Sequence, residues 1–186
     1  MSTDVTRRLF TVHDYHRMGE AGILSEDDRV ELIRGELLAM SPIGPRHNAA
    51  VDRANRSMVR TVGDGAIVRV QGSVRLDEYD EPQPDIAVLA PSDDFYASGM
   101  PGPADIWLIL EVAESSIGYD RGVKARLYAE AGIVEYWLLD LKNDCLYAYS
   151  DPHNGTYRVV RQFCRGDSIA LERLPAYRFR IDDLLP

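Results

Sequence analysis

The sequence predicts an α/β or α+β domain, a mixed β-sheet flanked by helices. Three observations carry the prediction. Residues 106–113, IWLILEVA, are aliphatic on both alternating faces, the pattern of a strand covered on both sides. A helical stretch over 120–131 follows, and then a second apolar strand, VEYWLLD, over 134–140. Strand, helix, strand in that order predicts a right-handed parallel crossover. Finally, Arg34-Gly35 and His153-Asn154-Gly155 each separate two strand-like runs, and the glycine supplies the positive φ of a tight antiparallel hairpin.

The elements follow in order. TVHDYHRMG, 11–19, reads as a short helix capped by Thr11 and stopped by Gly19. VELIRGELLAM, 30–40, is a hairpin in which Ile33 pairs with Glu36 and Glu31 with Leu38. Alternation puts Glu31 and Glu36 on one face, opposite Leu32 and Leu37. Pro45 opens a helix running to about Thr61, with His47, Val51, Ala54 and Met58 on its apolar face. Arg53, Arg56 and Arg60 share a neighbouring face and are a candidate phosphate contact, with Arg121 and Arg126 as a possible basic rim. Residues 66–77 read as strand structure with a bend at Gly72, and PDIAVLAP, 84–91, as a further strand. Residues 91–104 form a long loop rich in Pro, Gly, Ser and Asp. In the 120–131 helix, Val123, Leu127 and Ala131 make the apolar stripe and Gly132 the stop. CLYAYSD and TYRVVRQF close the chain's strand pattern as an antiparallel pair. Tyr128 and Trp137 belong to the core, and His13, His16 and His153 to the surface.

A chain of 186 residues with 45% apolar content suits one soluble globular domain over 1–186. It is long enough to bury a core without disulfides, so Cys145 and Cys164, far apart and outside any CxxC, read as reduced thiols. MSTDVTRRLF has no long apolar core and no small-residue cleavage site, and no apolar run is long enough to span a bilayer. The expected location is the cytoplasm. A net charge of −9 argues against a generic nucleic-acid coat but not against a nuclease with basic residues gathered on one face. There is no phosphate-binding Walker loop, GxSxG elbow, HExxH or zinc-type Cys/His spacing. Glu114-Ser115-Ser116 has no visible base beside it and reads as helix capping.

The chemistry lies in two charges placed in apolar strands. Glu111 interrupts LILEVA, and Asp85 opens its strand directly after Pro84. A buried carboxylate must be paired or bind a cation. If the two strands are neighbours, both carboxylates converge, and a divalent cation between them relieves the repulsion. Oxygen ligands of this number suit Mg²⁺ or Mn²⁺. Asp120, Lys124 and Tyr128 share the next helical face, so Lys124 folds back toward the same point, placed to orient water or stabilise a phosphate. Simpler readings stand beside these: Asp85 capping a turn, Glu111 in a buried ion pair with Lys124, and Lys124 pairing Asp120 on the surface. Glu31 is a candidate additional acid near the centre, and His47 either a core histidine or a group contacting phosphate or water.

Taken together, VELIRGELLAMSP, His47, PDIAVL, LILEVAESS and DRGVKARLYAEAGIVEYWLLD resemble the Uma-type family of putative restriction endonucleases, within the PD-(D/E)XK superfamily. The resemblance runs from about Asp14 to the C-terminus. It implies a restriction-endonuclease-like fold and a Mg-dependent endonuclease acting on DNA. It implies metal binding by Asp85, Glu111 and the backbone carbonyl of Val112, and the lysine role for Lys124. The usual superfamily lysine stands two residues after the glutamate. Here that position is Ala113, and the lysine comes from the helix. Symmetric dimers are the common way for such domains to break both DNA strands, so a homodimer is expected. The competing reading is a non-catalytic module that keeps the fold for assembly or nucleic-acid binding; a third is a hydrolase of smaller phosphate esters.

Overall fold

A computed structural model describes residues 7–25 and 27–186. The MSTDVT segment read for a leader lies outside the described residues. The first helix, α1 (Val12–Glu20), is capped by Thr11, whose hydroxyl accepts from the Asp14 amide while the Asp14 carboxylate accepts from the Thr11 amide. The hairpin β1 (Val30–Ile33) and β2 (Glu36–Ala39) has the expected register, Ile33 opposite Glu36 and Glu31 opposite Leu38. Both turn residues, Arg34 and Gly35, have positive φ. Glycine is required at 35 because a Cβ there would stand 2.6 Å from the Leu9 Cβ. Only the Glu31 end of the predicted acidic face is buried. Glu36 is exposed and pairs with Arg7.

The helix α2 (Pro45–Val62) starts at its proline and buries His47, Val51, Ala54 and Met58, the face the spacing predicts. It lies on a six-stranded sheet in the order β3 (Ile67–Val70), β4 (Ile86–Leu89), β5 (Ile106–Ala113), β6 (Glu135–Asp140), β7 (Cys145–His153), β8 (Thr156–Cys164). β5 and β6 are parallel, as the crossover requires, and every other pair is antiparallel. β3 is shorter than the 66–77 run suggests. It ends at Val70, and Gln71 takes a positive φ that turns the chain out of the sheet.

Period-two alternation divides the sheet residues between two cores. Leu108, Leu110, Val112, Trp137 and Leu139 pack against α2. Ile109, Ala113, Tyr136 and Leu138 face the opposite layer, which contains Leu127 and Tyr128 of the crossover helix and Ile33 of the hairpin. Glu111, between Leu110 and Val112, therefore points into that second layer. The C-terminal pair β9 (Ser168–Ala170) and β10 (Arg178–Arg180) with α5 (Ile181–Leu184) closes the first core, where Phe179 meets Trp137 edge-on at 5.6 Å.

The crossover helix departs from the prediction. It begins at α3 (Ile117–Tyr119), widens into a π-helical turn over Asp120–Lys124, and continues as α4 (Ala125–Glu130). The widened turn rotates the helix face, so Val123 is exposed while Asp120 and Lys124 are buried. Leu127 keeps its core place, Ala131 is half-buried, and Gly132 ends the element with positive φ.

The expectation of reduced cysteines is corrected. The Asn154-Gly155 turn sets the β7–β8 register so that Cys145 faces Cys164, and the two form a disulfide with Cα atoms 4.2 Å apart. Sequence distance misled because an antiparallel hairpin brings distant positions together.

Candidate active site

β4 and β5 are hydrogen-bonded neighbours, so the two acidic strand positions meet. The Asp85 amide approaches Glu111 Oε2 at 3.3 Å, and Asp85 Oδ2 accepts from the Val112 amide at 2.9 Å. From the α2 side, His47 Nε2 lies 3.0 Å from the same Asp85 oxygen. Asp85 Oδ1 has no hydrogen-bond partner among the described residues. From the opposite side, Lys124 Nζ donates to Glu31 Oε2 at 2.6 Å and to Glu111 Oε1 at 3.3 Å. Tyr128 donates to Glu111 Oε1 at 2.7 Å, and the Gln83 amide approaches Glu31 Oε2 at 3.3 Å. Asp85, Glu111, Lys124, Glu31 and His47 are all buried and line one cavity of about 530 Å³.

Each arrangement has a local cause. The tight hairpin holds Glu31 under the Lys124 ammonium. Pro84 ends the chain segment before β4, leaving Asp85 at the strand mouth beside the end of the Ile86–Leu110 ladder. The π turn carries Lys124 inward. Of the simpler readings, the ion pair between Glu111 and Lys124 is present, but Lys124 lies closer to Glu31, and Asp85 is held by His47 and Val112 rather than capping a turn. Surface pairing of Lys124 with Asp120 is not what forms: Asp120 instead accepts from Ser116 Oγ at 2.5 Å. Ser116 thus spends its hydroxyl on Asp120 and makes no cap bond to the helix backbone.

The electrostatics follow from one ammonium serving two carboxylates. Burial raises the Glu111 pKa to about 7, against the lowering effect of Lys124 and with repulsion from Asp85. Burial disfavours the charged form of Lys124, but Glu111 and Glu31 outweigh it and hold the ammonium protonated. Burial likewise raises Asp120 to about 6. For His47 burial acts downward, and the hydrogen bond and charge of Asp85 carry the net direction upward.

The arginine stripe does not belong to this site. None of Arg53, Arg56 and Arg60 lines the cavity, and Arg53 donates to the Asp182 carbonyl, fastening α5 to α2. Arg121 stacks over the Tyr147 ring at 3.9 Å, and Arg126 pairs Glu130. Arg29 lines the cavity instead, with Gln83, Ser116, Tyr119 and Asp120. Arg29 and Gln83 were not legible because a polar residue in a connecting segment has no burial conflict to betray it; Asp120 was placed on the Lys124 face but given no role.

Among the described residues, no three His, Cys, Asp or Glu side chains converge as a metal-ligand group. The side chains that could hold a cation are the two carboxylates of Asp85 and Glu111. That number fits Mg²⁺, which keeps several waters and takes one or two protein carboxylates. The free oxygen of Asp85 is the donor best placed for it.

A mixed sheet with two acidic residues on neighbouring strands and a lysine from the next helix defines a protein of the restriction-endonuclease-like fold. The Uma2 family model, described as "Putative restriction endonuclease", matches residues 12–182. The chain belongs to that family. Its structure is similar to the crystal structure of a "putative nuclease" from Anabaena variabilis, with a TM-score of 0.70 and 15% identity over 94% of this chain and 97% of that one. At that identity the likeness is one of fold. No curated protein sequence matches the chain.

Proposed function

We propose that the chain is a metal-dependent endonuclease that hydrolyses DNA phosphodiester bonds at the cavity of Asp85, Glu111 and Lys124. The observation that carries this reading is the meeting of the two strand carboxylates with a buried ammonium in one open cavity. In this reading Asp85, Glu111 and the Val112 carbonyl hold Mg²⁺ or Mn²⁺. The ion supplies Lewis acidity to the phosphate and makes water more acidic. Lys124, charged and aimed by Glu31, holds the attacking water or a phosphate oxygen. His47 fixes the orientation of Asp85. Purified protein is expected to cleave DNA with Mg²⁺ or Mn²⁺, and Asp85→Ala and Glu111→Ala to abolish it. Undiminished cleavage by both variants sinks the assignment. Cutting both strands of a duplex calls for two such centres, so the working form in this reading is a homodimer, which light scattering of the active protein reads directly.

A second reading, a non-catalytic module, is favoured by Lys124 being engaged with both Glu31 and Glu111 as structural ion pairs. It predicts no cleavage and no rise of melting temperature with added Mg²⁺ or Mn²⁺, where a bound cation would stabilise by linkage.

A further inference from the structure

Four tyrosines lie on or beside the crossover segment: Tyr119 at the end of α3, and Tyr128, Tyr136 and Tyr157 ring to ring. Three of them have partners for their hydroxyls. Tyr128 donates to Glu111, Tyr136 to the Asp120 carbonyl at 3.2 Å, and Tyr157 to the Ile133 carbonyl at 2.8 Å. Tyr119 differs. Its hydroxyl is buried and has no hydrogen-bond partner among the described residues. A buried polar group without a partner is uncommon and asks for a reason.

Its position supplies one. Tyr119 lines the same cavity as Lys124 and Asp85, at the end of α3, where the π turn begins. Its hydroxyl lies within electrostatic reach of Glu31, Lys124, Asp120 and Glu111. Each of the surrounding carboxylates already accepts a bond at one oxygen, Glu31 from Lys124 and Gln83, Glu111 from Lys124 and Tyr128, and Asp120 from Ser116, and none accepts from Tyr119. Burial, reinforced by the Glu31 charge, raises its pKa to about 12, so at neutral pH the group is a donor and not a base. No acceptor among the described residues lies within hydrogen-bond distance of this donor, and a phosphate oxygen held beside Lys124 would supply one.

We infer that Tyr119 is a further substrate-contacting residue, whose hydroxyl donates a hydrogen bond to a non-bridging oxygen of the phosphate bound against Lys124. The inference rests on the proposed nuclease reading and adds to it a specific donor. Tyr119 would act with Lys124 as a pair, one neutral donor and one cation, on a phosphate whose negative charge grows during hydrolysis.

The test is Tyr119→Phe, measured for melting temperature and for DNA cleavage beside wild type and Asp85→Ala. Removing an unpaired buried hydroxyl leaves no broken bond behind, so the melting temperature should hold or rise. Tyr128→Phe, which does break a bond, should lower it. Cleavage at saturating DNA by Tyr119→Phe should fall about tenfold or more. If wild type cleaves, Asp85→Ala does not, and Tyr119→Phe matches wild type, the inference is overturned and the nuclease reading stands. If wild type itself fails to cleave, the nuclease reading fails and takes the inference with it. A Tyr119→Phe protein that melts well below wild type also overturns the inference, because the hydroxyl then has a structural partner.

Discussion

Lys124 is the residue on which the site's charge balance turns. Its ammonium is shared between Glu31 and Glu111, both buried. Removing it leaves two buried carboxylates without a counter-charge. Lys124→Met should therefore cost about 3–5 kcal/mol near pH 8, the range for breaking a buried ion pair by deleting one partner. The deficit should shrink toward pH 6. Burial already raises Glu111 to about 7, and without Lys124, which lowers it, the value rises further. Below that value the carboxyl is neutral and needs no partner. Urea denaturation at the two pH values checks this, and an equal deficit at both contradicts the pairing. Asp85, Glu111 and Lys124 were legible in the sequence because a charge amid apolar residues, or on the helix face turned toward them, is a costly placement that needs a cause. Tyr119, Ser116 and Asp120 were not singled out as functional, because their burial arises only once the helix is laid over the strand ends.

At the scale of elements, the Arg34-Gly35 hairpin was the most legible, in turn and in register, because a two-residue turn leaves no freedom in which residues face each other. For the second hairpin the sequence marked a turn at His153-Asn154-Gly155 without a register, and the structure narrows it to Asn154-Gly155 with His153 opposite Thr156. The β7–β8 register even contains the disulfide: Cys145 stands nine residues before Asn154 and Cys164 nine after Gly155. Counting outward from the turn pairs them, whereas judging them by distance along the chain does not. Closing this 19-residue separation should stabilise the fold by about 3 kcal/mol through loss of unfolded-chain entropy. Urea denaturation with and without reductant should show a loss of that size; no loss would mean that the cysteines are not joined. The crossover helix was legible in place but not in phase. A strict helical period makes Val123 a core residue, and in the π turn it is exposed, while Asp120, Lys124 and Tyr128 keep the shared inward face that the spacing predicts. No sequence pattern marks that turn.

For the whole molecule, the buried carboxylates make stability depend on pH in a defined direction. Glu135, which accepts from the Trp137 indole N–H and the Glu172 amide, is raised to about 7 by burial, as Glu111 is, and Asp120 is raised to about 6. Between the unfolded values near 4 and these folded values, the native state holds more protons than the unfolded chain. Stability must therefore fall as pH rises from about 5 to 8. On the acid side, Asp94 is held well below the usual range by bonds from Ser92 and Ser98, so its contribution is lost as pH falls below 4. A chelator-treated sample should melt highest near pH 5. A maximum near pH 8 would show that these carboxylates do not carry raised values in the folded protein.

The amino-acid order by itself determined the alternating strands, the Arg34-Gly35 hairpin register and the parallel crossover. These rest on local rules: side-chain period, turn chemistry and the cost of burying charge. Only the tertiary structure decided how the charges are shared. Whether Lys124 serves Glu31, Glu111 or Asp120 depends on which oxygen lies nearest once hairpin, strand and helix are packed. That is a matter of ångströms between segments 93 and 13 residues apart in the chain. The same packing left Asp85 one free oxygen and Tyr119 an enclosed hydroxyl without a partner, and both residues line a cavity that exists only between the assembled elements.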